Sequence, residues 1–194
     1  MDSLLWNLFY KGNIEEVRAA LGRGEDVNCL NRIQLVQTGL MLAVINKHNS
    51  IVKLLLEQPT VDLNLTDHQG YTALHYAANH NNVEAVQLLL ADSRFHSVNL
   101  KDSHGKTPVM NAMFYKKNGA LRELVANPSV DLDTRDGKGR SLEEVSRWAL
   151  NNLNRFSDFL VCCRIRRGFP DGERIVFEAR QERRLKAADF QVKC

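Results

Sequence analysis

Cysteine is scarce in this 194-residue chain, and Cys29, Cys162, Cys163 and Cys194 follow no framework spacing. Small secreted domains that rely on disulfides show denser, regularly placed cysteines. The pattern therefore points to a reducing compartment, with Cys29 and Cys163 read as small buried apolar side chains. Long apolar runs are missing too, since no stretch reaches the roughly 18 residues a membrane span needs. Residues Met1 to Tyr10 are apolar but carry neither a basic leader nor a small-residue cleavage site. Charge of one sign is also in short supply: a formal net charge of +3 does not demand a polyanionic partner. With 44% hydrophobic and 25% charged residues, the composition is that of an ordinary globular protein, expected inside the cell in cytoplasm or nucleus.

What the chain does have is a repeat. Thr38, Thr72, Thr107 and Ser141 head four similar segments at spacings of 34, 35 and 34 residues, and a further step back lands on Ser3. Asn28, Asn64, Asn99 and Asp133 keep the same phase, at 36, 35 and 34. Each unit has one internal grammar. In the clearest, Thr72 is the expected N-cap of a short helix through Ala78, and Asn81-Asn82 breaks it. Val83 to Leu90 has the apolar spacing of a second helix. Val98 to Gly105 then runs out to a tight turn, with Gly70, Gly105 and Gly139 each two residues before the Thr or Ser, where positive φ is least costly for glycine. One such helix pair cannot bury its apolar face alone; stacked neighbours can. Ala43, Ala77, Ala78 and Ala112 recur where first helices would touch.

These segments resemble the ankyrin repeat, whose T-P-L-H-x-A signature is matched by Thr72-Ala73-Leu74-His75-Tyr76-Ala77, Thr107-Pro108-Val109-Met110-Asn111-Ala112 and Thr38-Gly39-Leu40-Met41-Leu42-Ala43. The second-helix signature appears at Val52–Leu56, Val86–Leu90 and Leu121–Val125. The resemblance implies an all-α solenoid of helix-turn-helix units with projecting β-turn or hairpin tips. The expected domain spans residues 1–167, with units at about 3–37, 38–71, 72–106, 107–140 and 141–167, followed by a tail over 168–194. The first unit, with Leu8-Phe9 where inner units have two alanines, reads as an N-terminal cap and residue 1 as the natural start. The first projecting turn is two residues longer, and its alternating apolar residues suggest a hairpin. Either Ile33 and Val36 pack down on unit two or they form a ledge for a partner. The last unit departs from the signature. Ser141 and Glu144 suggest a capping box, Phe156, Phe159 and Leu160 its second helix, and Gly168 to Gly172 a stop. The tail is basic, with nine basic and five acidic residues from Arg164 onward. It is open between a helix packed on the last unit, a partner-induced helix and an extension without structure.

Catalytic machinery is not visible. There is no G-x-x-x-x-G-K-[ST] or G-x-G-x-x-G sequence, and Asp136-Gly137-Lys138-Gly139 coincides with a turn tip. The six histidines lack the cysteine or acidic companions of a tetrahedral metal site, and the resemblance gives His75 structural hydrogen bonds. No enzyme activity, cofactor or metal is expected. The resemblance implies instead a protein partner lying across the concave face of turn tips and first helices. Carried over by position, that face holds His68, Gln69, Tyr71, Tyr76, Asn79 and His80; then Ser103, His104, Lys106, Asn111, Phe114 and Tyr115; then Lys138, Arg140 and, less surely, Trp148. Tyr76, Phe114 and Tyr115 are expected as exposed aromatic contacts, with Phe114 alternatively packing its own helix. The competing function is nucleic-acid or acidic-surface binding through Arg164, Arg166, Arg167, Arg180, Arg183, Arg184 and Lys186 of the basic segment. Interleaved glutamates argue against nucleic acid. The chain is expected to be a monomeric adaptor or scaffold.

Overall fold

The first four backbone N–H groups of a helix have no partner within it, and a threonine placed just ahead can accept from one of them. Thr38 accepts from Met41 N at 3.2 Å and Thr72 from His75 N at 3.4 Å; Ser141 and Glu144 bond reciprocally, as a capping box does. The computed structural model describes residues 3–31, 36–153 and 170–192. Among these, ten helices follow in order: α1 (Ser3–Lys11), α2 (Ile14–Gly22), α3 (Gly39–Ile45), α4 (Asn49–Leu56), α5 (Ala73–Asn79), α6 (Val83–Ala91), α7 (Pro108–Phe114), α8 (Asn118–Ala126), α9 (Leu142–Leu153) and α10 (Pro170–Val192). The expected first hairpin is present as β1 (Leu30–Asn31) paired antiparallel with β2 (Gln37–Thr38). Ile33 lies outside the described residues, while Val36 is half-buried.

First helices stack on first helices, α1 through α9 by odd numbers, and second helices form a parallel row from α2 to α8. The alanines at the first-helix contacts, Ala43, Ala77, Ala78 and Ala112, are fully buried. Phe9 occupies the corresponding place in α1 and is also fully buried. It fits because α3 begins at Gly39: a Cβ there would stand 2.2 Å from the Phe9 ring. The turn within each pair uses one left-handed residue, Gly12, Lys47, Asn81 or Lys116, with φ between 52° and 79°. Three of these are not glycine, a strain on the order of 1 kcal/mol each that the packing of both helices overrides.

The in-phase asparagines turn out to be rungs between units. Asn28 donates to Thr60 O at 2.9 Å and accepts from Asp62 N at 2.8 Å. Asn64 does the same with Arg94 O and His96 N, and Asn99 with Ser129 O and Asp131 N. Asp133 is the next position in phase. A carboxylate cannot donate as an asparagine does, and it meets Arg180 of α10 at 3.2 Å.

The tail is thus a helix packed on the last repeats. It touches α8 and α9, burying Ile175 and Val176, and so extends the second-helix row. The reading of Pro170 to Gly172 as a stop is corrected: they form the first turn of α10, where proline's missing N–H and fixed φ suit a helix. The expected second-helix residues Phe156, Phe159 and Leu160 lie outside the described residues. Arg183 clamps the end of α8 by donating to Val125 O at 2.9 Å, Asn127 O at 2.5 Å and Val130 O at 2.7 Å. Arg94 treats α4 alike, donating to Leu56 O at 2.6 Å and Gln58 O at 2.9 Å. Cations at a helix C-terminus satisfy orphan carbonyls and oppose the dipole.

His75 shows the structural role expected of it. Its Nδ1 accepts from Thr72 N at 3.1 Å and its Nε2 donates to Lys106 O at 3.2 Å, which is the neutral ring in one tautomer. Burial holds its pKa below the usual histidine range. Protonation therefore opposes folding: this contribution is complete above about pH 6.5 and is lost as pH falls below it. Urea unfolding at stepped pH should show stability declining as pH falls below about 6.5, and His75→Gln should flatten the decline. Arg183→Ala, which strips three carbonyls of a charged donor, should cost about 1.5–3 kcal/mol. Amide exchange should speed up in α8 and α10 and stay unchanged in α1 to α4.

Candidate functional site

An aspartate opens each projecting turn, at Asp67, Asp102 and Asp136. Its Oδ1 accepts from the backbone N–H groups two and four residues on, Gln69 and Tyr71, His104 and Lys106, Lys138 and Arg140, all at 2.8–2.9 Å. The turns then stack, Ser103 N donating to Gln69 O at 2.8 Å and Gly137 N to His104 O at 3.2 Å. Gly105 has φ +72°, and a Cβ on it would lie 2.2 Å from Gly137 N, so adjacent tips approach backbone to backbone. This ridge and the neighbouring side of the first helices form the face on which the expected contact residues lie.

Because units repeat every 34 or 35 residues, side chains in phase form columns across the face. Tyr71, Lys106 and Arg140 make one; Asn79, Phe114 and Trp148 make another. The columns converge over the last two units. Phe114 and Trp148 stack with ring centres 5.6 Å apart, and Tyr115 meets Phe114 edge-on at 4.9 Å. Lys106 Nζ sits 3.9 Å over the Phe114 ring, Arg140 Cζ 4.7 Å over Trp148, and Lys138 Nζ 6.0 Å from it. Tyr115 is 43% exposed and Trp148 39%. Phe114 is half-buried and floors the cluster. Ser103, His104, Gly105, Lys106, Gly137, Lys138, Arg140 and Trp148 line a depression of ≈ 360 Å³.

Two expected contact residues are corrected. Tyr76 is only 8% exposed. Its hydroxyl donates to Asp67 Oδ2 at 2.6 Å and accepts from Gln37 Nε2 at 2.7 Å, so the ring ties the first hairpin to the turn of unit three. Burial, and then the hydrogen bond to Asp67, push its pKa up. Asn111 is fully buried, its amide turned toward Asp102 Oδ2 at 3.5 Å. In unit three the expected contact residues that reach the surface are exposed His68 and His80 with half-buried Gln69, Tyr71 and Asn79. Tyr71 packs against His75 and Tyr76; burial, then Asp102, push its pKa up to about 12, so it stays a neutral donor. The Gln37–Tyr76–Asp67 link escaped sequence reading, although the in-phase D-x-x-G at Asp67, Asp102 and Asp136 was a usable sign of the turns.

A family model for ankyrin repeats in three copies matches residues 5–102 and 40–136. The chain belongs to the ankyrin-repeat family. Relatives include the human transient receptor potential cation channel subfamily A member 1, 40% identical over 80 residues, 41% of this chain and 7% of that protein. BTB/POZ domain-containing protein 1 of Schizosaccharomyces pombe is 42% identical over 37% of this chain and 6% of its own length. Human neurogenic locus notch homolog protein 1 is 38% identical over 37% of this chain and 3% of its own. The chain thus spans under a tenth of these proteins. What it shares with them is the repeat, and repeats of this family are generally protein-interaction modules. Among the described residues of this ankyrin-repeat protein, no cluster of His, Cys, Asp and Glu is arranged to hold a metal ion. No described helix is long and apolar enough to cross a membrane.

The two tyrosines separate structural from surface roles. Tyr76→Phe leaves a buried carboxylate oxygen and the Gln37 amide without their shared partner and should cost about 1–3 kcal/mol. Tyr115→Ala should stay within about 0.5 kcal/mol of the parent. Urea denaturation of the three proteins side by side checks both.

Proposed function

We propose that this ankyrin-repeat chain is a non-catalytic adaptor or scaffold that binds a protein across the face of turn tips and first helices, centred on its last two units. The observation that carries this reading is the aromatic and cationic group of Lys106, Phe114, Tyr115, Lys138, Arg140 and Trp148 beside the ≈ 360 Å³ depression. Tyr115 and Trp148 are partly exposed and lie outside the buried core, and exposed aromatics and arginines are the side chains that dominate interface energies. His68, Gln69, Tyr71, Asn79 and His80 extend the same face toward unit three. The depression opens to solvent between two turn tips and Trp148, a place a peptide segment can reach. Sparse cysteines support a reducing compartment, cytoplasm or nucleus, and a monomer bound to its partner accounts for the repeats without a second copy.

The tail competes less well. Arg180 and Arg183 are engaged with Glu143, Asp133 and main-chain carbonyls of the last repeats, so two of the arginines counted for phosphate binding are spent internally. Partners captured from the source cell's extract on the immobilised full chain test the choice. Tyr115→Ala with Trp148→Ala should remove the specific partner, while Arg167→Gln, Arg184→Gln and Lys186→Gln together should leave it. The reverse pattern would hand the function to the tail.

A further inference from the structure

We infer that the partner presents an acidic, extended peptide segment, whose carboxylates dock on Lys106 and Lys138 at the tips of the last two units, beside the Arg140–Asp136 ion pair; this rests on the adaptor reading above. The electrostatic accounting at this corner is lopsided. Lys106, Lys138 and Arg140 border one depression together with exposed His104. The acids nearest to it are committed. Asp136 accepts from two backbone N–H groups through Oδ1 and from Arg140 through Oδ2, at 2.8 Å from Nε and 2.6 Å from Nη2. Asp102 holds the adjacent turn in the same manner and faces Asn111. Lys106 and Lys138 form no ion pair among the described residues, whereas Arg140 is paired with Asp136. Burial lowers the Lys106 pKa, with Arg140 and Lys138 adding to it against the pull of Asp102 and Asp136. Two lysines left without a carboxylate at one depression favour an anionic ligand there.

The cations are also pre-positioned. Lys106 lies over Phe114, and Arg140 over Trp148, at cation–π distances, and the two rings stack on each other. A ligand arriving here orders fewer side chains, which lowers the entropic cost of binding. The same packing disfavours nucleic acid. Single strands bind by stacking bases on open aromatic faces along a long basic groove, but Phe114 and Trp148 each already have a stacking partner and a cation over the ring. Two lysines without a carboxylate partner around one depression match two carboxylates of a short peptide, with exposed Tyr115 placed for an apolar side chain beside them.

A labelled hexaglutamate peptide titrated into the full chain, followed by fluorescence anisotropy, tests this. Saturable binding is expected, weakening at least about tenfold in Lys106→Gln with Lys138→Gln, and similarly between 50 and 300 mM salt, as screening requires. A control carrying Lys11→Gln with Lys101→Gln has the same net charge and should bind as the parent does; matched urea midpoints establish that both double variants fold. Equal losses in the two variants would reduce the effect to diffuse charge and overturn the proposal, as would no saturable binding to the parent. Tighter binding of a hexauridylate probe, lost in Lys106→Gln with Lys138→Gln, would overturn it in favour of nucleic acid. The adaptor reading is tested separately. If captured partners vanish with Tyr115→Ala and Trp148→Ala yet survive Lys106→Gln with Lys138→Gln, the face binds protein and its occupant is not acidic.

Discussion

A helix of seven or nine residues is too short to persist alone, and a pair of them leaves an apolar face that only another pair can cover. Everything else follows from that dependence. Alanines let α3, α5 and α7 come close, and Phe9 of α1, a large residue in the same row, is admitted because Gly39 has no side chain. Burial between units is non-directional, however, and would tolerate sliding. The rungs of Asn28, Asn64 and Asn99 are directional: each amide both donates to and accepts from the next unit's main chain. They hold the stack in register.

A stack held together by neighbours must be closed at its ends. At the C-terminal end the closing element is α10, and it does so by imitation. Its apolar residues continue the second-helix row, Arg180 answers the rung that Asp133 leaves as a carboxylate, and Arg183 repeats on α8 the clamp that Arg94 places on α4. A basic tail that invites a reading as a binding element is thus, in good part, a structural one.

The same periodicity that builds the core composes the surface. Residues one repeat apart become neighbours, so Lys106 and Arg140, or Phe114 and Trp148, meet across units although each is unremarkable in its own segment. Projecting turns held by Asp67, Asp102 and Asp136 give these side chains a fixed base, and their close stacking brings cations together that would repel one another in solution.

The repeat period, the helix pair of unit three, the caps at Thr72 and Ser141 and the left-handed glycines were legible in the sequence, because each is a local consequence of residue type and phase, and the structural place of His75 was implied by the family resemblance. The face itself was legible as a set of positions, but not which of them reach solvent. Tyr76 and Tyr115 look equally available in sequence. Only the fold turns the first inward, because Gln37 of the hairpin and Asp67 of the turn, 39 and 9 residues away, converge on its hydroxyl, while nothing of that kind covers the second. The tail's outcome was likewise a tertiary matter. Its loosely spaced apolar residues specify no helical face alone, and they acquire one only against α8, where unsatisfied main-chain carbonyls meet its arginines. Phase along the chain determined the architecture; contacts between units distant in sequence decided which side chains were left over for a partner.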